Sequence, residues 1–139
     1  GVTDEEAKLA DAFERAWAIP PGASPDPAVR AGFLADRAMI VADDVPFPLS
    51  AKAYADHWAF TLEHVERLDW RMHGATVRVH GDTGIVATSH VTRMKPRDAG
   101  FRLRAGTTIV VCRRGTDGWR ALSVHMSPLT SQILDASPA

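Results

Sequence analysis

Residues 119–129, WRALSVHMSPL, decide the fold. Leu122, Val124 and Met126 alternate with Ala121, Ser123, His125 and Ser127. A strand sends successive side chains to opposite faces, so the alternation predicts a strand with one oily face and one small, polar face. The oily face requires a cover. The other face lacks the Lys, Glu and long polar chains that water-facing strands carry. It reads as a seam against a second copy of the chain, with hydroxyls and imidazoles as polar contacts. Two other assignments stay open: a pocket lining in which His125 is catalytic, and a plainly exposed sheet face.

Upstream of this strand the chain is hairpins. Gly115 to Gly118 makes a tight turn, preceded by a strand in FRLRAGTTIVVCRR (101–114) and, across the link KPRDAG, by another in GIVATSHVTRM (84–94). In LDWRMHGATVRVHGD, Leu68, Trp70 and Met72 set one parity and Val77 and Val79 the other. The phase flips around Gly74, which predicts a β-bulge in a long, bending strand. Thr88, His90 and Thr92, with Ala105, Thr107, Ile109 and Val111, are expected to continue the small polar surface of the closing strand.

The first half is helical. Thr3 and Glu6 have capping-box spacing, and Leu9, Phe13, Ala16 and Trp17 recur at helical spacing through about Ile19, where Pro20 and Pro21 stop the helix. Asp26-Pro27 opens a short second helix carrying Val29, Phe33 and Leu34. AMIVADD (38–44) reads as a strand, VPFPLS as a loop, and Ser50 as the cap of a helix over about 51–66. That helix puts Tyr54, Trp58, Thr61, Leu62 and Val65 on one stripe. Helices followed by antiparallel hairpins define an α+β domain with the helices on one sheet face.

The 139-residue chain suits one domain, residues 1–139, with a core of useful size. Net charge is −1, which supplies no field toward nucleic acid or membrane, so neither is an expected partner. No apolar run approaches the ~20 residues of a membrane helix. One cysteine, Cys112, and an acidic, helix-like start without signal-peptide character lead to the expectation of a cytoplasmic protein. His57 and His64 stand about 10 Å apart along a helix, too far for one ion, so no metal is expected. No phosphate loop or dinucleotide fingerprint occurs, and no cofactor is expected.

This order of elements resembles the nuclear transport factor 2-like (NTF2-like) superfamily, and within it the SnoaL-like and kinase-association-domain branch. The matching segments are FLADRAMIVADD, HGDTGIVATSHVTRM and RRGTDGWRALSVHMS, over roughly residues 4–129. Gly118-Trp119-Arg120 followed by His125-x-Ser127 is the most specific part. The resemblance implies a cone-shaped, cystatin-like fold: three helices on one face of a strongly curved, mostly antiparallel sheet, with a pocket between them. It also implies a homodimer through the convex sheet face, where His90, Thr107, Ser123 and His125 are the expected contacts. Members include isomerases, cyclases, dehydratases and non-catalytic association modules.

The resemblance places Asp43 and Asp44 at the mouth of the cone. Asp43 is the candidate catalytic base, although the family pattern puts Ala42 at that position and Asp43 one residue late; a solvated strand end is the competing reading. Phe13 and Trp17 replace the tyrosine, and Thr108, Ile109 and Val110 the carboxylic acid, of a steroid isomerase, so that activity is not expected. Arg93 and Arg104 are candidates for gripping a carboxylate, or else belong to a solvated hairpin tip. Val110 and Met126 stand where the branch can carry arginines, which implies a mainly apolar pocket. Trp17, Tyr54 and Trp58 complete the expected ligand-binding set. The expected function is binding of a small, mostly apolar molecule that can bear a carboxylate, with cofactor-free acid–base chemistry on it. The alternative is a dimeric, non-catalytic association or accessory module.

Overall fold

The computed structural model describes residues 1–129. Helix α1 spans Asp4–Trp17, α2 Pro27–Phe33 and α3 Ala51–Glu63; the strands are β1 Leu34–Val41, β2 Val65–His80, β3 Thr83–Pro96, β4 Arg102–Gly115 and β5 Gly118–Leu129. The five strands form one sheet in the order β1-β5-β4-β3-β2. Four hairpin-connected strands pair antiparallel, and β1 pairs parallel with β5. The helices lie on one face, as the α+β reading requires.

Local chemistry sets the helix starts. At α1 the Thr3 hydroxyl accepts from the Glu6 N–H at 3.2 Å while the Glu6 carboxylate accepts from the Thr3 N–H at 3.1 Å. The second Glu6 oxygen accepts from the Val79 N–H at 3.0 Å and ties the helix to β2. These two backbone donors, Thr3 first, hold the Glu6 carboxyl below the usual range. Asp26 and Ser50 cap α2 and α3 through the N–H groups of Ala28 and Ala53.

Leu9, Phe13 and Trp17, four residues apart on α1, are all but fully buried against Phe33, Ile40, Val86, Val110 and Val124. Gly84 of β3 sits beneath that stripe: a Cβ there would collide with Leu9 Cδ2 and lie 3.1 Å from the Trp119 ring. The bulge falls in β2 between His73 and Ala75, with Gly74 at φ +40.

The third helix ends at Glu63, and Val65, read from the sequence as part of that helix, already opens β2. The sheet departs further from the sequence reading in three places. First, β1 starts at Leu34 rather than near Ala38, because Leu34 leaves α2 already extended and pairs with Ala121. Second, β5 has its own bulge: Cys112 pairs with Ala121 and Val111 with Ser123, so Leu122 has no partner. The phase therefore flips, and Ala121 faces the core, fully buried, instead of sharing the outer face with Ser123 and His125. Third, β3 shows the opposite parity to the one expected. His90 pairs with Gly106 and Thr88 with Thr108, all on the helix side, whereas Ser89 pairs with Thr107 on the outer side. Both parities of GIVATSHVTRM are partly apolar, so alternation alone could not choose between them.

Candidate functional site

A cavity of about 130 Å³ lies between the three helices and the inner sheet face. Its walls are aromatic. Trp17 comes from α1, Tyr54 and Trp58 from α3, and Trp70 from β2. Trp17 and Tyr54 stack with centroids 6.1 Å apart and planes 5° apart.

Arg30 of α2 enters this aromatic group. It shares the buried face of its helix with Phe33, three residues on, and is 6% exposed. Its guanidinium carbon lies 4.6, 5.0 and 4.7 Å from the ring centroids of Trp17, Trp58 and Trp70. One terminal nitrogen donates to the Tyr54 hydroxyl at 3.2 Å, the other to the Trp17 carbonyl at 2.9 Å. No carboxylate of the described residues lies within ion-pairing distance of Arg30.

The floor is polar at two points. His90 of β3 is 8% exposed and stacks on Trp70 at 5.2 Å. Burial pushes its imidazole pKa down; the field of Asp43 works against this and that of Arg30 adds to it. His90 Nδ1 and the hydroxyl of buried Thr108 beside it have no hydrogen-bond partner among the described residues. The ring has room because position 106 is glycine: a Cβ there would stand 2.9 Å from His90 Cε1 and 2.9 Å from the Ser127 carbonyl oxygen. Both residues line the cavity, and a buried polar atom left without a partner calls for an explanation.

The rim carries charge. Asp43 and Asp44 form an exposed turn after β1, while Ala42 is buried on the cavity wall. Asp44 Oδ2 is 2.8 Å from His57 Nε2 across the mouth. Arg104 also reaches the rim from β4 and is exposed.

Trp17, Tyr54, Trp58, Arg104, Met126 and Asp43 thus share one cavity. Arg93 and Val110 do not line it. Arg93 has the outward parity of β3 and lies over the Phe101 ring at 4.2 Å, because the odd residues of that strand face away from the helices. Val110 is fully buried in the packed core, paired between Val86 and Val124. Thr107, Ser123 and His125 lie on the outer face, and His90 joins the cavity instead. The sequence reading missed Arg30, Trp70 and the His57–Asp44 pair. The available signal for Arg30 was a charge one helical turn before Phe33 on a short amphipathic helix, in a chain with four tryptophans. Among the described residues no group of three His, Cys, Asp or Glu side chains could hold a metal, and no helix is long and apolar enough to cross a membrane.

Solved structures of NTF2-like proteins share this architecture. An NTF2-like superfamily protein from Salmonella enterica serovar Typhimurium superposes with a TM-score of 0.74 at 12% identity, covering 96% of this chain and 97% of the other. An NTF2-like protein with a cystatin-like fold from Novosphingobium aromaticivorans gives 0.71 at 19% identity, covering 96% and 84%. A ketosteroid isomerase-like protein from Erwinia carotovora atroseptica gives 0.67 at 15% identity, covering 92% and 98%. The fold is the NTF2-like, cystatin-like α+β fold. Residues 26–131 match the SnoaL-like domain, and the chain belongs to that family. A sequence comparison with curated proteins finds no match.

Proposed function

We propose that this domain binds a small, mainly apolar molecule in its cavity and moves a proton on it without a cofactor, with His90 as the general base. The supporting observation is a buried imidazole that lines an aromatic cavity, has one nitrogen without a partner among the described residues and is pushed by burial toward its neutral form. Such a base is unprotonated at neutral pH and shielded from water, as proton abstraction beside a carbonyl requires. Asp43, the base expected from the sequence, takes a different role: its charge favours the imidazolium that forms when His90 accepts the proton. The isomerase-like name among the structural neighbours fits this class of chemistry. The lack of a tyrosine–acid pair at the corresponding positions argues against steroid isomerisation here.

The test is solvent exchange. Small cyclic ketones and keto acids incubated with the protein in D2O are followed by proton NMR. Deuterium should enter next to the carbonyl, and His90→Asn should slow entry by about a hundredfold or more. The acid limb of the wild-type rate profile should lie below the ordinary imidazole range, and Asp43→Asn should move it lower still. A limb that stays put in Asp43→Asn removes Asp43 from the mechanism.

A second reading, a dimeric association module, is favoured by the outer sheet face. Three rows cross it: Ser127–Thr107–Ser89, His125–Ile109–Ala87 and Ser123–Val111–Ile85. None carries a full charge with histidine neutral, and Ile85 and Ile109 are 38% and 45% exposed. Such a patch suits a twofold, self-complementary contact with a second copy. Native mass spectrometry should give a homodimer at micromolar concentration, and Ile109→Arg should split it. A wild-type monomer would dispose of the seam, while the pocket chemistry stands independently of it.

A further inference from the structure

We infer that Arg30 and Tyr54 form a two-donor receptor for a carboxylate, so that the cavity takes a small monocarboxylic acid built on one flat ring. The inference rests on the cavity being a ligand pocket, and adds the chemical class of the ligand.

The first support is charge. A guanidinium stays protonated at any working pH, and a buried charge is normally neutralised by a buried partner. Arg30 is 6% exposed, yet its neighbours are three indole faces, a phenol and one carbonyl. The rings offset part of the desolvation but bring no negative charge. The one missing component is an anion.

The second support is donor geometry. Protein acceptors take two of the guanidinium's five N–H donors. The Tyr54 oxygen accepts from Arg30, which leaves its own proton to donate, and it donates to nothing among the described residues. Tyr54 is 4% exposed and lines the same cavity. An N–H and an O–H stand side by side on α2 and α3, their heavy atoms 3.2 Å apart. A carboxylate presents two oxygens to such a pair, as it does to any fork of donors.

The third support is size and shape. A cavity of about 130 Å³ walled by flat indoles suits one ring rather than a fused system. One buried cation balances one negative charge, and Asp43 and Asp44 at the rim oppose a polyanion such as a phosphate ester. Arg104 is exposed at the rim, where water screens it, so it is the weaker receptor. His90, which packs on the same Trp70 ring as Arg30 and lines the same cavity, is then the group that acts on the remainder of the molecule.

The test uses acid and amide pairs of equal shape. Benzoate and phenylacetate, with benzamide and phenylacetamide, are titrated into the full chain and followed by tryptophan fluorescence, since three of the four tryptophans surround Arg30. Each acid should bind at least tenfold more tightly than its amide. Arg30→Met should abolish the preference while amide binding persists, and Tyr54→Phe should narrow it. Near-UV circular dichroism checks that Arg30→Met is folded; if it is not, Tyr54→Phe decides, and an unchanged preference there overturns the receptor. Equal binding of acids and amides to the wild type overturns it and leaves the ligand pocket standing. Loss of the preference in Arg104→Ala but not in Arg30→Met moves the anion to the rim and also overturns it. Failure of all four compounds to bind defeats both the receptor and the pocket.

Discussion

At the scale of single residues, burial without a partner is the recurring theme. His90 loses affinity for protons on folding, whereas the unfolded chain binds them with the ordinary imidazole pKa near 6.5. Below that pH the unfolded state takes up more protons, so stability falls as the solution is acidified. Urea midpoints should therefore decline from pH 7 to 5, and His90→Asn should decline less. Cys112 shows the opposite direction: burial alone pushes its thiol up to about 12, against 9.0 unperturbed. Its contribution to stability is complete below pH 9 and is lost as pH rises toward 12. At pH 8 the native thiol should resist iodoacetamide and react only after unfolding, as intact-mass analysis would register.

Some of this was legible. Aromatic residues at helical spacing marked Trp17, Tyr54 and Trp58. Arg30 was not legible, since a lone arginine in PAVRAGF is indistinguishable from a surface charge until Trp70, forty positions away, packs over it. His90 was not legible for a different reason. Its parity depends on which β4 residue it faces, and alternation in β3 is consistent with either register.

At the scale of elements, two glycines decide where side chains go. Gly84 lets α1 lie down on β3 through Leu9, and Gly106 leaves the space that the His90 ring occupies. Gly84→Ala forces a methyl into a closed core, which typically costs about 1–3 kcal/mol. A thermal melt should report that loss with no particular effect on ligand binding. Gly106→Ala meets both the imidazole and a backbone oxygen that cannot yield. It should lower stability and also turn the His90 ring off Trp70, visible as a shift of the imidazole resonances by NMR. The helix starts were readable because caps are local: Thr3, Asp26 and Ser50 each bond within three residues. The Gly74 bulge was readable from the change of phase. The bulge at Leu122 was not, because WRALSVHM alternates smoothly through it, and only the pairing with β4 exposes the extra residue.

At the scale of the molecule, the connectivity of the sheet matters most. The hairpins β2 to β5 follow from sequence neighbours, which usually pair. The parallel partnership of β1 with β5 had no local signal; it joins Leu34 to Ala121 and Val41 to His125. It also places β5 inside the sheet with β1 at its edge. During synthesis, then, the early helices and β1 leave the ribosome long before the strand that will hold them has been made. They wait while some eighty residues are added, a matter of seconds at roughly 5–20 residues per second. Throughout that wait β1 has no strand of the main sheet beside it, whereas Leu9 and Phe13 can settle on β2 and β3 once that hairpin has formed. The edge strand is thus made early and paired last, so the sheet is completed only when its final strand arrives.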